Sequence, residues 1–323
     1  MESVPHCSRL HGILFGTFVV APAVVAWWRT VWYAMDGIGC DDYGVQPAPG
    51  AFCLSDVEHH EANGWWSAGA AFIVFLVITA GKQWPGPRYN PLLRLAWGFA
   101  LSYLSGVAVV ASWRGIWYIL DARLYSDSNL TTAAWASTVL GLVIGLVTGG
   151  LRSTLVPPVL YLADIPMRPQ TAPGFYRLWR GSRQFWRTRV GIVVDTVALI
   201  AVTVATVATF RGVWLLLDWY TWLRPPGHSL LFSGWTSLMG GALVTVLAAV
   251  VQPVVQRPAH AVALAVLDRA VTLVLVGAGI AFWRGAWALV DVYSFPSAFW
   301  TSNAITHAVT TAVLVVYRGF NSV

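Results

Sequence analysis

Trp113-Arg114-Gly115-Ile116-Trp117-Tyr118-Ile119-Leu120-Asp121 closes a long apolar run, and the same frame occurs three more times. The other copies begin Trp28-Arg29-Thr30-Val31-Trp32, Phe210-Arg211-Gly212-Val213-Trp214 and Trp283-Arg284-Gly285-Ala286-Trp287. They end at Asp36, Asp218 and Asp291. The shared pattern is aromatic, Arg, small, any, Trp, any three, Asp. Four ungapped copies make a tandem repeat, a far stronger signal than one short motif.

The spacing limits what these residues can do. Arg precedes Trp by three positions and Trp precedes Asp by four, so on a helix all three share one face. Arg and Asp of one copy are then about 10 Å apart along the axis. Helical side chains lean toward the N-terminus, so each Arg points away from its own Asp. The partner of Arg29, Arg114, Arg211 or Arg284 must come from another helix, as must the partner of Asp36, Asp121, Asp218 or Asp291. Trp32, Trp117, Trp214 and Trp287 share that face. An unpaired guanidinium inside a bilayer costs about 2.5–3.5 kcal/mol or more, so the arginines require a polar interior.

Composition supplies the bilayer. Of 323 residues, 57% are hydrophobic and 11% charged, against about 25% charged in a soluble domain. Nineteen Trp suit helix ends at the membrane interface. The net charge of +6 is divided among short loops, which argues against nucleic acid as a partner. Apolar runs predict an all-α polytopic membrane protein with eight transmembrane helices, at about residues 13–36, 65–81, 95–121, 132–151, 191–218, 231–251, 268–291 and 297–317. The odd runs end in the motif. The even runs begin near Trp66, Trp135, Trp235 and Trp300, each followed within two positions by Ser or Thr. The expected unit is a helical hairpin, motif helix then Trp-led helix, four in tandem. Residues 1–151 and 191–323 form the two membrane halves and 152–190 the connection between them.

Charge sets the orientation. The connections 82–94, 152–190 and 252–269, with both termini, hold 14 of the 20 Lys and Arg. The positive-inside rule puts them, and both termini, in the cytoplasm of a plasma-membrane protein. Asn129-Leu130-Thr131 then lies outside as a glycosylation acceptor, very near the next span. Cys40 and Cys53 share an outer loop, and their spacing permits a disulfide without requiring one. Cys7 stands apart. In the basic stretch 177–189, Arg177, Arg180, Arg183 and Arg187 recur at three- and four-residue steps among Phe185, Trp179 and Trp186, with Arg189 just beyond. That pattern suits a helix on anionic lipid of the inner leaflet, although an ordinary positive-inside loop is the plainer account.

Asp195 and Asp268 each precede a motif Arg by 16 positions at the inner helix ends. Capping of the helix dipole is the ordinary explanation and an inner-mouth cation site the alternative. Gly141, Gly145 and Gly149, with Gly240, Gly241, Gly277 and Gly279, suggest close helix packing. His59 and His60 cluster with Asp56, Glu58 and Glu61, but without metal-ligand spacing, so no metal and no cofactor is expected. His228 and His307 stand alone, and no nucleophile–base pair is present, so an enzyme is not expected. Three uses of the motif compete: a structural set of Arg–Asp pairs, a conduction path, and a docking face for another membrane protein. The equal number of Arg and Asp favours the first, because a selective ring is usually of one sign.

With eight spans and motif copies at 28–36, 113–121, 210–218 and 283–291, the chain resembles the Fuseless family of insect and other invertebrate membrane proteins. The resemblance covers most of the chain. It implies an eight-pass protein at presynaptic terminals that helps place or maintain calcium channels, and it carries no catalytic residues to transfer. The expectation is a non-enzymatic scaffold or channel-associated protein at the presynaptic membrane. The runner-up is a channel or transporter lined by the Arg/Asp face.

Overall fold

Apolar runs of about 17 to 28 residues, broken by Pro, Gly and charge, leave the backbone one way to satisfy itself in lipid, which is the helix. The computed structural model describes residues 12, 14–40, 57–83, 91–124, 130–156, 189–220, 229–255, 261–294 and 299–317. Eight α-helices follow in order: α1 (Ala21–Cys40, preceded by a π-helical turn at Gly16–Val20), α2 (Val57–Gln83), α3 (Pro91–Leu124) and α4 (Leu130–Thr148). Then come α5 (Arg189–Asp218), α6 (Leu230–Val255), α7 (Ala261–Tyr293) and α8 (Phe299–Val316). Pro91 opens α3, where a missing N–H costs nothing. Gly149, at φ 71°, ends α4 in the left-handed region that glycine tolerates. No strand occurs among the described residues.

Seven of these helices, α1 to α7, are long and apolar enough to cross a membrane, which fits a membrane protein. The expected eighth span is the 18-residue helix α8, which carries Asn303, His307 and several hydroxyl residues among its apolar ones.

The chain gathers into two compact units. The first is Ala23–Tyr125 with Val290–Val323, and the second is Met1–Pro22 with Ser126–Leu289. The closest helix pairs lie inside these units. Within the first unit α2 packs along α3, and within the second α4 packs along α5. In these pairs a motif helix lies against the Trp-led helix before it, and the motif glycine permits the contact. A methyl on Gly115 of α3 would lie 2.6 Å from the Ala68 nitrogen of α2, and one on Gly212 of α5 would lie 2.5 Å from the Thr138 nitrogen of α4. Gly285 of α7 meets Gly234 and Leu238 of α6 in the same way. Only glycine lets the backbones come this near. Of the other glycines, Gly141 and Gly241 pack on α5 and α7, while Gly240 and Gly277 face open space.

Candidate functional site: the repeated Arg–Asp network

Each motif helix ends in three turns that place Arg, Trp and Asp on one face, and that face meets another copy. In the first unit Arg114 of α3 donates from Nε to Asp36 Oδ1 of α1 at 2.8 Å. Arg29 of α1 donates from Nε to Asp291 Oδ1 of α7 at 2.6 Å. In the second unit Arg284 of α7 donates from Nε to Asp218 Oδ1 of α5 at 2.6 Å. In these three pairs the Arg of one copy takes the Asp of the preceding copy, the last counting as preceding the first. The guanidinium groups are buried and the carboxylates about one-fifth to one-quarter exposed. Arg211 is wholly buried in α5, and Asp121 is half-buried near the end of α3.

The motif aromatics use the same offset. Trp28 meets Trp113 edge-on at 5.2 Å between ring centres, and Trp32 meets Trp117 at 5.8 Å. In the second unit Phe210 meets Trp283 and Trp214 meets Trp287, each at 5.8 Å and near 90°. Edge-to-face pairs add about 0.5–1.5 kcal/mol each beyond burial. This explains why Phe210 serves in a position otherwise held by Trp.

The remaining guanidinium donors are filled differently in the two units. Arg114 Nη1 donates to Asn63 Oδ1 of α2 at 3.0 Å. Its guanidinium lies 4.4 Å from the ring centre of Tyr118, whose hydroxyl donates to Asp36 Oδ1 at 2.6 Å. Tyr33 repeats this arrangement with Arg29 at 4.4 Å and Asp291 at 3.0 Å. In the second unit Arg284 Nη1 donates to Ser237 Oγ and Nη2 to Ser233 Oγ, both at 2.8 Å. Tyr stands four positions after Arg in the first two copies only, and that signal was present in the sequence.

A second signal was also present. The burial pattern of α2 aligns with α4, α6 and α8 when Trp65, not Trp66, is matched to Trp135, Trp235 and Trp300. All four then read Trp-x-Ser, with Ser67, Ser137, Ser237 and Ser302. Ser67 donates to the Ala111 carbonyl and Ser137 to the Ala208 carbonyl, each at 2.9 Å and each three residues before the motif Arg. Ser237 accepts from Arg284 instead.

Thr30 replaces the motif glycine in α1, and its surroundings correct the view of His307 as solitary. The Thr30 hydroxyl donates to the Trp27 carbonyl at 2.7 Å. The proton on its 2.8 Å contact with His307 Nδ1 therefore belongs to the ring, and Nε2 accepts from the Tyr103 hydroxyl at 2.7 Å. Asn303 Nδ2 donates to the Thr30 carbonyl at 2.8 Å. At the α1–α8 contact, hydrogen bonds stand where glycine packing stands elsewhere.

Asp268 of α7 pairs with Arg152 in the 3₁₀ turn Leu151–Thr154. Glu61 accepts from Arg123 Nη2 at 2.5 Å and from Trp65 Nε1 at 3.3 Å. The side chains of Cys40, Asp195 and the 177–189 stretch, with Cys53 and Asn129, lie outside the described residues. Among the described residues no group of three His, Cys, Asp or Glu gathers to hold a metal ion.

Compared with known proteins, residues 8–323 match the family model described as Fuseless. No curated protein and no solved structure matches.

Proposed function

The chain belongs to the Fuseless family, and from that premise we propose a non-enzymatic eight-pass membrane protein that acts as a scaffold or ion-channel-associated protein at the presynaptic membrane. The observation that carries this reading is the use made of the charges. Arg114, Arg29 and Arg284 each take the carboxylate of a neighbouring copy, and those of Arg114 and Arg284 fill further donors locally. Charges paired off in this way hold helices together, and these three pairs set no run of one sign before a passing ion.

Helix α8 supports an eighth crossing. Asn303 and His307 turn their polar groups to α1 and α3, while Ile305, Val309, Val315 and Val316 are exposed. Both termini and the basic connections then lie in the cytoplasm, with 177–189 against anionic lipid and a calcium channel as the membrane partner. The test is ion flux through purified protein in liposomes. The scaffold reading expects flux no higher than in empty vesicles. Flux that Arg114→Ala or Arg284→Ala alters would replace it with a channel or transporter.

A further inference from the structure

The Trp-x-Ser register splits each Trp-led helix into two faces. Ser67, Ser137 and Ser237 point inward to a motif helix and Ser302 to the Ser294 carbonyl just past α7. The Trp two positions earlier is largely exposed, with the Trp300 ring tip resting on Gly37 of α1. Trp65, Trp135, Trp235 and Trp300 are 60%, 50%, 44% and 46% exposed. Each heads an exposed apolar stripe that runs toward the basic end of its helix. On α4 the stripe continues through Val139, Val143 and Val147, and on α6 through Met239, Leu243 and Leu247. On α2 it passes Ile73 and Val77, and on α8 Ile305 and Val309. The Trp65 indole N–H donates to Glu61, one turn toward the polar end, while its ring begins the apolar stripe. An amphipathic ring with its N–H toward water and its body toward hydrocarbon is the posture of an interfacial Trp.

The motif charges lie at the same level. Arg284 is held by Ser233 and Ser237, which bracket Trp235. Arg114 reaches Asn63, two residues before Trp65. We propose that these four Trp residues bind the headgroup–hydrocarbon boundary of the leaflet opposite the basic loops, so that the Arg–Asp network lies at headgroup depth and not at the bilayer centre. The occupant of the exposed stripes is phospholipid. Two stripes of the same register occur on each unit, and a bilayer presents the same surface to every one of them, whereas a single protein partner would not. The inference does not depend on the scaffold reading.

The test is collision accessibility of a nitroxide in nanodiscs. A keto-phenylalanine placed at Trp135 or Trp235 carries the label and leaves Cys7, Cys40 and Cys53 untouched; Val143 and Leu243, two turns deeper, are the comparison. At Trp135 and Trp235, dissolved oxygen and a water-soluble nickel chelate should relax the label to comparable degrees. At Val143 and Leu243, oxygen should exceed the chelate by about tenfold, because the hydrocarbon core excludes the chelate. Oxygen dominance at Trp135 and Trp235 equal to the deeper pair would overturn the proposal by placing them inside the core. Chelate dominance would overturn it by placing them in water, and suppression of both would mean a protein partner covers them. If a Trp variant fails to fold, the exposed neighbours Ala136 and Thr236 take the label with the same expectations.

Discussion

The first unit supports its ion pairs with tyrosines and the second with serines. Around Arg114 and Asp36 a phenol gives its face to the cation and its hydroxyl to the carboxylate, and Asn63 takes another guanidinium proton. Around Arg284 and Asp218 the sequence has Ala288 in the tyrosine's place, and Ser233 and Ser237 accept from the guanidinium. The pair itself, its direction between copies and the glycine contact beside it are the same in both. A buried cation needs a counter-charge and filled donors, and either chemistry meets that need. The repeat therefore fixes the pair and the close approach, and leaves the second layer of partners free to differ.

The largest expected effect should not distinguish the units. Arg114→Ala and Arg284→Ala each strand a partly buried carboxylate and should cost about 3–5 kcal/mol, read as lost folded yield and a lower midpoint in thermal unfolding. A variant of either kind with the native midpoint would break the comparison at its root. Next come the glycines. Gly115→Ala and Gly285→Ala each push a methyl into the neighbouring backbone, a cost of about 1–3 kcal/mol or more. Gly240→Ala, in open space, should be neutral or stabilising by about 0.5–1 kcal/mol. Equal effects at Gly240 and Gly285 would mean that the close approach is not what selects glycine.

Smaller effects should separate the units. Tyr118→Phe removes a hydrogen bond to a charged group and should cost about 1.5–3 kcal/mol. Ser237→Ala should cost about 1–2 kcal/mol, since Arg284 keeps Ser233 and Asp218. The thermal midpoints of the two variants rank the two kinds of support. Smallest is Thr30→Ala, which removes one neutral partner of His307 and should cost about 1 kcal/mol. A loss as large as that of Arg114→Ala would instead make the α1–α8 contact the main lock.

Much of this was legible in the sequence, because helical period and charge carry it. The motif spacing placed Arg, Trp and Asp on one face and sent each Arg to another helix, as Arg114, Arg29 and Arg284 do. Which neighbour lies closest was not legible. Spacing reports register along one helix, and the approach of α3 to α2 rests on how Gly115 meets Gly64 and Ala68. The adjacent Trp65 and Trp66 hid the Trp-x-Ser register, since both are exposed and only the burial pattern of the residues around them fixes the alignment. His307 looked solitary because its partners Thr30 and Tyr103 lie 277 and 204 positions away. The tyrosine four residues after Arg was visible, yet only geometry shows that its hydroxyl serves the carboxylate of another copy.

Pairing between copies is measured most directly by a double-mutant cycle on Arg114 and Asp36. Arg114→Leu and Asp36→Leu each leave a charge behind, while the double variant removes both. If the two groups neutralise each other, the double variant should be more stable than the sum of the single losses by about 1.5–3 kcal/mol. Additive losses, with the double variant as damaged as both singles together, would contradict it.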